Sequence, residues 1–92
     1  MIVRILAEGQ YSLSDRQLPR LNEIDGRLTR ALETGDRPGF EADFGELIGY
    51  VRRHGGALEP DYLGGSDIVL PAADSDFDEV RAMLREDGLV PG

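Results

Sequence analysis

The chain has 92 residues, which is enough for one domain, and we expect residues 1–92 to form that single domain. It contains neither cysteine nor lysine, so disulfide, thiolate and Schiff-base chemistry and a P-loop lysine are excluded. The formal net charge of −8 disfavours nucleic acid and bare anionic lipid as direct partners, and it favours a basic partner surface.

The cellular location is predicted from what the sequence lacks. No stretch is long and apolar enough to cross a membrane, so direct membrane insertion is not expected. Residues 1–4 do not begin the basic region and apolar core that are typical of a signal peptide. Together with the absence of cysteine, this predicts a cytoplasmic protein.

The first residues predict a β-hairpin. Residues 2–6, Ile-Val-Arg-Ile-Leu, form an apolar run rich in β-branched side chains, which is typical of a strand. Residues 7–9 form a turn, and the alternating residues 10–13 form a second short strand. Two strands alone are only marginally stable, so the hairpin must pack on other elements.

Residues 15–54 predict two antiparallel amphipathic helices. Apolar side chains recur at helical spacing in both halves, and charged side chains, including Asp25, are expected on the solvent sides. The first helix starts between residues 15 and 18, capped by Ser14 or Asp15, and ends at Gly35. The second is capped by Asp36 and ends at His54. The connection between the two helices is so short that they must lie side by side.

The remaining chain predicts a loop, a strand and a helix. Residues 55–65 form a glycine-rich loop, which could cradle a phosphate but is better explained by turns, since no lysine follows. Residues 67–71 form a short strand that could pair with the first. Residues 76–87 form the last helix, with an Asp76–Glu79 capping box, Gly88 as C-cap and an apolar contact at Leu89.

These elements together predict the fold. The order is β-β-α-α-β-α, and the class is α+β: a two- to three-stranded sheet packed on an antiparallel helical hairpin, with a C-terminal helix. Whether the sheet closes within one chain or across a dimer stays open at this point.

No set of residues predicts catalysis, a cofactor or a metal. Asp74, Asp76 and Asp78 are spaced like the opening of a calcium loop. The positions that require glycine and glutamate hold Glu79 and Arg85, so the match fails. The only histidine, His54, is explained as a cation at a helix C-terminus, and no nucleophile motif accompanies it. We therefore do not expect this protein to be an enzyme.

Both ends of the chain resemble a known family. Residues 1–11 read Met-Ile-Val-Arg-Ile-Leu-Ala-Glu-Gly-Gln-Tyr, and residues 66–71, 77–80 and 86–92 read Ser-Asp-Ile-Val-Leu-Pro, Phe-Asp-Glu-Val and Glu-Asp-Gly-Leu-Val-Pro-Gly. These segments resemble the PspA-associated proteins (PspAA), which are found beside genes for the phage-shock protein A family. The resemblance covers the full length. Ala7 departs from it, because we expect glycine there in many members.

The resemblance implies a non-enzymatic accessory protein, or adaptor, of the phage-shock envelope stress response. Its partner would be a PspA-type coiled-coil protein that assembles on the inner membrane surface, which would make this protein membrane-peripheral through that partner. An acidic helical hairpin could bind a basic coiled coil. The residues that we expect to interact are Tyr11, Glu23, Arg27, Glu41 and Glu46.

A second hypothesis is a homo-oligomeric structural module, for example a homodimer, of unknown role. In that case the apolar stripes and the strand edges would mainly serve contacts between copies. The sequence leaves open the interface and whether binding activates or inhibits the partner.

Overall fold

The computed structural model describes residues 1–84. The elements are β1 (Ile2–Ile5), β2 (Gly9–Ser12), α1 (Leu18–Thr34), α2 (Arg37–His54), β3 (Gly56–Ala57), β4 (Ile68–Leu70) and α3 (Phe77–Met83). A short 3-10 turn precedes α1. The predicted α+β class is confirmed, and so are the helical hairpin and the further helix after the last strand.

The sheet has four strands in the order β3-β2-β1-β4, rather than two or three. The additional strand, β3, lies inside the segment predicted as a loop, and it pairs antiparallel with β2 through Tyr11 and Ala57. It was missed because two residues, Gly and Ala, show neither alternation nor strand preference. The predicted pairing of β4 with β1 is confirmed and is parallel, from Val3 opposite Ile68 to Ile5 opposite Leu70. The sheet therefore forms within one chain.

The helical hairpin begins within the predicted range, but Ser14 does not cap α1 directly. Its Oγ accepts a hydrogen bond from the Arg16 amide at 3.2 Å and caps the 3-10 turn of residues 15–17, whereas Gln17, the N-cap of α1, makes no side-chain capping bond. Gly35 ends α1 with a φ of 74°, a left-handed conformation that glycine adopts without steric cost. Asp36 Oδ1 then accepts from the Gly39 amide at 3.0 Å and caps α2.

The hydrophobic core lies between the sheet and the helices. Alternate residues of β1 and β4 are buried on one face of the sheet, namely Val3, Ile5, Ile68 and Leu70. The helices cover that face with the buried residues Leu21, Ile24, Leu28, Leu32, Phe44, Leu47, Ile48 and Val51. Helices and sheet thus form two layers around one core.

Helix α3 packs against the start of α2 through an aromatic contact. The Phe77 ring meets the Phe40 ring edge-on at 5.6 Å, and the predicted Asp76–Glu79 capping box is present. The helix ends at Met83, earlier than predicted, because Leu84 is extended (φ −66°, ψ 132°). The predicted Gly88 cap and Leu89 contact lie outside the described residues.

The loop of residues 58–67 crosses the face of the sheet opposite the helices, which we call the outer face. The loop connects β3 to β4 at opposite edges of the sheet, and its Ser66 lies against Gln10 and Arg4, which point away from the helices. Ser66 holds the loop down, since its hydroxyl donates to Gln10 Oε1 at 2.7 Å and accepts from Arg4 Nε at 3.4 Å. The side chain of Gln10 is consequently buried.

Candidate interaction site

Three of the five predicted interaction residues meet where α1 packs on α2. The Glu46 carboxylate of α2 accepts hydrogen bonds from Arg20 at 2.9 Å and from Arg27 at 2.7 Å, both on α1. Arg20 also donates to Glu23 at 2.8 Å. Positions 20, 23 and 27 lie on one side of α1 because three and four residues complete about one helical turn. The hairpin therefore assembles Glu23, Arg27 and Glu46 into one ion-pair network.

The network is only partly open to a partner. The side chain of Glu23 is 62% exposed, whereas those of Arg27 and Glu46 are 37% and 32% exposed. Both oxygens of Glu46 are already occupied by guanidinium groups. A basic partner would have to compete with two arginines for Glu46, but it could reach Glu23. Glu41 is exposed on α2 and forms no ion pair with any residue between positions 1 and 84.

Tyr11 lies in a separate cluster that connects the β1–β2 turn to the end of α2. Its hydroxyl donates to Glu8 Oε2 at 2.6 Å, and Arg52 Nε donates to the same oxygen at 2.9 Å. The hydrogen bonds from Arg52 and Tyr11 lower the pKa of Glu8 from 4.5 to about 2. The hydrogen bond to Glu8 in turn raises the pKa of Tyr11. Tyr11 is half-buried against the core and is held by its own chain.

Asp25 is not on the solvent side of α1 as predicted, because its side chain is buried, with 4% exposure. Leu21, Asp25, Leu28 and Leu32 are spaced 4, 3 and 4 apart, so Asp25 falls on the apolar stripe of the helix. The spacing was visible in the sequence, but the charge of the side chain suggested exposure.

The negative charge is concentrated outside the helical hairpin. Residues 15–54 contain eight carboxylates and seven arginines, so the hairpin is nearly neutral. Residues 55–80 contain seven carboxylates and no arginine, lysine or histidine. This segment, which we call the acidic segment, comprises β3, the outer-face loop, β4 and the start of α3. The expectation of an acidic hairpin is therefore wrong. The excess of negative charge lies in the acidic segment that follows the hairpin in sequence.

Residues 1–84 contain neither a cluster of metal-binding side chains nor a helix suited to cross a membrane. No group of three or more histidine and carboxylate side chains in this range is close enough to hold a metal ion. No helix in the same range combines the length and the apolar character that a membrane span requires. His54 packs its ring against Tyr50 at 4.3 Å between centroids, at the end of α2.

These features define a small α+β domain in which charged side chains form ion pairs on the surface. The family model of the PspA-associated proteins, PspAA, matches residues 1–92, so the chain belongs to this family. The resemblance found at the two ends of the sequence is confirmed over the whole chain. No curated protein matches the chain. No solved structure matches it either.

Proposed function

We propose that this protein is a non-enzymatic adaptor of the phage-shock envelope stress response that binds a PspA-type coiled-coil protein. The observation that carries this proposal is the match of the entire chain to a family described by its association with PspA. The match includes all of the described residues, 1–84, and we assign the association to them.

The distribution of charge supports such a role. The acidic segment contains seven carboxylates and no basic residue, and this favours a partner with a basic surface. One of these carboxylates, Asp78, lies 3.6 Å from Arg37 of α2, and on the hairpin Arg20 and Arg27 connect α1 to Glu46. These ion pairs stabilise the domain, and this structural role accounts for them without a catalytic function.

The five predicted residues take different parts in this proposal. Glu23 and Glu41 are exposed carboxylates on the hairpin and contribute attraction to a basic partner. Arg27 and Glu46 hold the two helices in register. Tyr11 fixes the β1–β2 turn against α2 through Glu8. The adaptor acts in the cytoplasm and reaches the membrane surface through its partner.

Co-purification with the PspA-family protein of the same genome tests the proposal. We expect a complex at about 50 mM NaCl that weakens by about 500 mM, because salt screens attraction between exposed charges. An unrelated coiled coil of similar positive charge serves as the control and should bind more weakly. Absence of a complex at the lower salt concentration would overturn the proposal.

A second candidate is the homo-oligomeric module, and one observation favours it. Among residues 1–84, β3 and β4 form the two edges of the sheet, and neither has a strand on its outer side. Such edges can pair with another chain, although strands of two and three residues offer few hydrogen bonds. Light scattering at several protein concentrations separates the two candidates, since a strict monomer excludes the oligomeric module.

A further inference from the structure

Most of the exposed large apolar side chains lie near β4, either in the loop that leads to it or on the strand itself. Five such residues are exposed among positions 1–84: Leu6 (38%), Tyr62 (38%), Leu63 (97%), Val69 (44%) and Met83 (38%). Val69 points outward because its neighbours Ile68 and Leu70 point into the core. Tyr62 and Leu63 belong to the loop that crosses the outer face. Met83 alone lies on α3, on the helical side.

The loop is shaped so that Leu63 projects into solvent. The Tyr62 amide donates to the Glu59 carbonyl at 3.0 Å and closes a turn. The Tyr62 ring then lies directly over Gly64, where a side chain would collide with it. Glycine at position 64 therefore permits the Tyr62 ring to fold back over the backbone. Leu63, which lies between Tyr62 and Gly64 in sequence, is left 97% exposed. An isolated exposed leucine is ordinary, but an almost fully exposed leucine beside an exposed tyrosine is typical of a contact surface.

The same loop carries much of the unbalanced negative charge. Glu59 and Asp61 precede Tyr62, and both are exposed. Asp67 is the last residue of the loop, and its Oδ2 accepts a hydrogen bond from the Ile2 amide at 2.7 Å. Arg4 is the cation of β1 on this face, and its Nε is directed to Ser66. Leu63 and Tyr62 are thus apolar side chains in acidic surroundings.

We infer that the outer face, centred on Tyr62 and Leu63, is the docking surface for an amphipathic helix of the PspA-type partner. The apolar stripe of that helix receives Leu63 and Tyr62, and its flanking basic residues meet Glu59 and Asp61. The identity of the partner rests on the proposed function. The chemistry of the occupant, an apolar stripe with basic flanks, follows from the surface itself.

Charge complementarity distinguishes this occupant from two others. A symmetric dimer through the outer face would place the same patch on both sides, so Glu59 and Asp61 would approach their own copies. Like charges opposed across an interface cost binding free energy. An anionic lipid surface would be repelled for the same reason. A basic helix is the occupant that both the apolar and the charged residues favour.

The first test compares the affinities of three variants for the purified partner. Leu63→Ser and Tyr62→Ala should each weaken binding by about tenfold or more, as expected of apolar anchors. Met83→Ser, which removes an exposed apolar side chain on the helical side, should leave the affinity unchanged. Because Leu63 is 97% exposed, its truncation should leave the unfolding temperature unchanged, so that any loss of binding is not a loss of fold.

The second test reports directly on the location of contact. The chain has no cysteine, so Leu63→Cys and Ala42→Cys each provide a single labelling position, the latter exposed on α2. An environment-sensitive dye at position 63 should shift to shorter wavelength when the partner is added, whereas the dye at position 42 should not. Two other occupants of the surface are tested in separate samples. Vesicles of anionic lipid represent a membrane, and an excess of the unlabelled protein itself represents a second copy.

The outcomes separate failure of the docking surface from failure of the proposed function. Binding by the unaltered protein that Leu63→Ser and Tyr62→Ala do not weaken would overturn the docking surface and leave the adaptor function standing. A wavelength shift with vesicles or with excess protein, but not with the partner, would overturn the inference in favour of a membrane or a second copy. No binding by the unaltered protein would overturn both.

Discussion

Ala7 is the one described non-glycine residue with a positive φ, at 64°. It occupies the turn between β1 and β2, where the Glu8 amide donates to the Ile5 carbonyl at 3.0 Å. The left-handed conformation costs a residue with a Cβ roughly 1–2 kcal/mol, and glycine adopts it freely. The expectation of glycine at this position in many family members thus has a physical reason, and the turn forms in spite of the alanine.

Replacing this alanine should therefore stabilise the protein. We expect Ala7→Gly to raise the free energy of unfolding by about 0.5–1 kcal/mol, because the relief of strain exceeds the additional entropy of the unfolded chain. Urea denaturation measures the change. Ala42→Gly is a matched control in the exposed part of α2, where the same substitution should lower stability by about 0.5–1 kcal/mol. A loss of stability in both variants would contradict the role assigned to Ala7.

Glu8 makes the fold sensitive to acid. Its pKa is lowered from 4.5 to about 2 by hydrogen bonds from Arg52 and Tyr11, so the folded state favours the ionised carboxylate. The stabilisation is complete above pH 4.5 and is lost as the pH falls toward 2. Since the carboxylate is partly exposed, solvent screening keeps its contribution modest.

This acid sensitivity can be measured in two ways. In an NMR titration, the Glu8 carboxyl carbon should change its chemical shift near pH 2 rather than near 4.5. Glu8→Gln should lose less stability than the unaltered protein between these pH values. Glu41→Gln, which removes an exposed carboxylate without an ion pair within residues 1–84, should retain the full acid dependence. An ordinary titration of Glu8 would show that the cluster with Arg52 does not persist in solution.

At the scale of elements, α3 depends on tertiary contacts for its stability. A helix of seven residues is too short to be stable alone, even with the Asp76–Glu79 capping box. Phe77 supplies the contacts: it is buried, it meets Phe40 edge-on, and the Arg37 guanidinium lies 4.5 Å from its ring centre. The ring thereby joins α3 to the beginning of α2.

Removal of this ring should cost much of the total stability. We expect Phe77→Ala to lower the free energy of unfolding by about 3–4 kcal/mol, out of roughly 5–10 kcal/mol for a domain of this size. Phe77→Leu keeps most of the volume and should cost less than about 1.5 kcal/mol. Thermal unfolding followed by circular dichroism compares them. Equal, small losses in both variants would mean that α3 does not need the ring to dock.

At the scale of the whole molecule, balanced and unbalanced charges occupy different regions. The helical hairpin is nearly neutral, with Arg20 and Arg27 paired to Glu46, and its Arg37 lies 3.6 Å from Asp78 of the acidic segment. The acidic segment, residues 55–80, has no cation of its own. Repulsion among its carboxylates opposes folding, and this cost is offset by the core beneath β4 and by any basic partner that binds there.

Salt should reveal this repulsion. Raising NaCl from about 20 to about 300 mM should stabilise the protein by roughly 0.5 kcal/mol, because exposed charges are screened over about 10 Å at 0.1 M. The double variant Glu59→Gln and Asp61→Asn should show a smaller increase. Glu23→Gln is the matched control: it removes a carboxylate paired with Arg20 and should not reduce the increase. A salt response that is the same in all three proteins would exclude repulsion within the acidic segment as its cause.

The local elements follow from residues that are neighbours along the chain. The caps Gly35, Asp36 and Asp76 act on nearby backbone groups, so the end of α1 and the starts of α2 and α3 could be predicted. The period of apolar residues likewise predicted the two long helices and β4, and the ends of the chain predicted the family. Each of these depends on residues that are close together in sequence.

Contacts between residues that are distant in sequence depend on how the elements pack in three dimensions. β3 exists because two residues without strand character complete the edge of β2, and Glu46 is held by arginines that lie on the other helix. Leu63 is exposed because the Tyr62 ring folds back over Gly64 within the loop that connects β3 to β4. These contacts follow from the packing of helices on one face of the sheet, and no spacing along the chain encodes that packing.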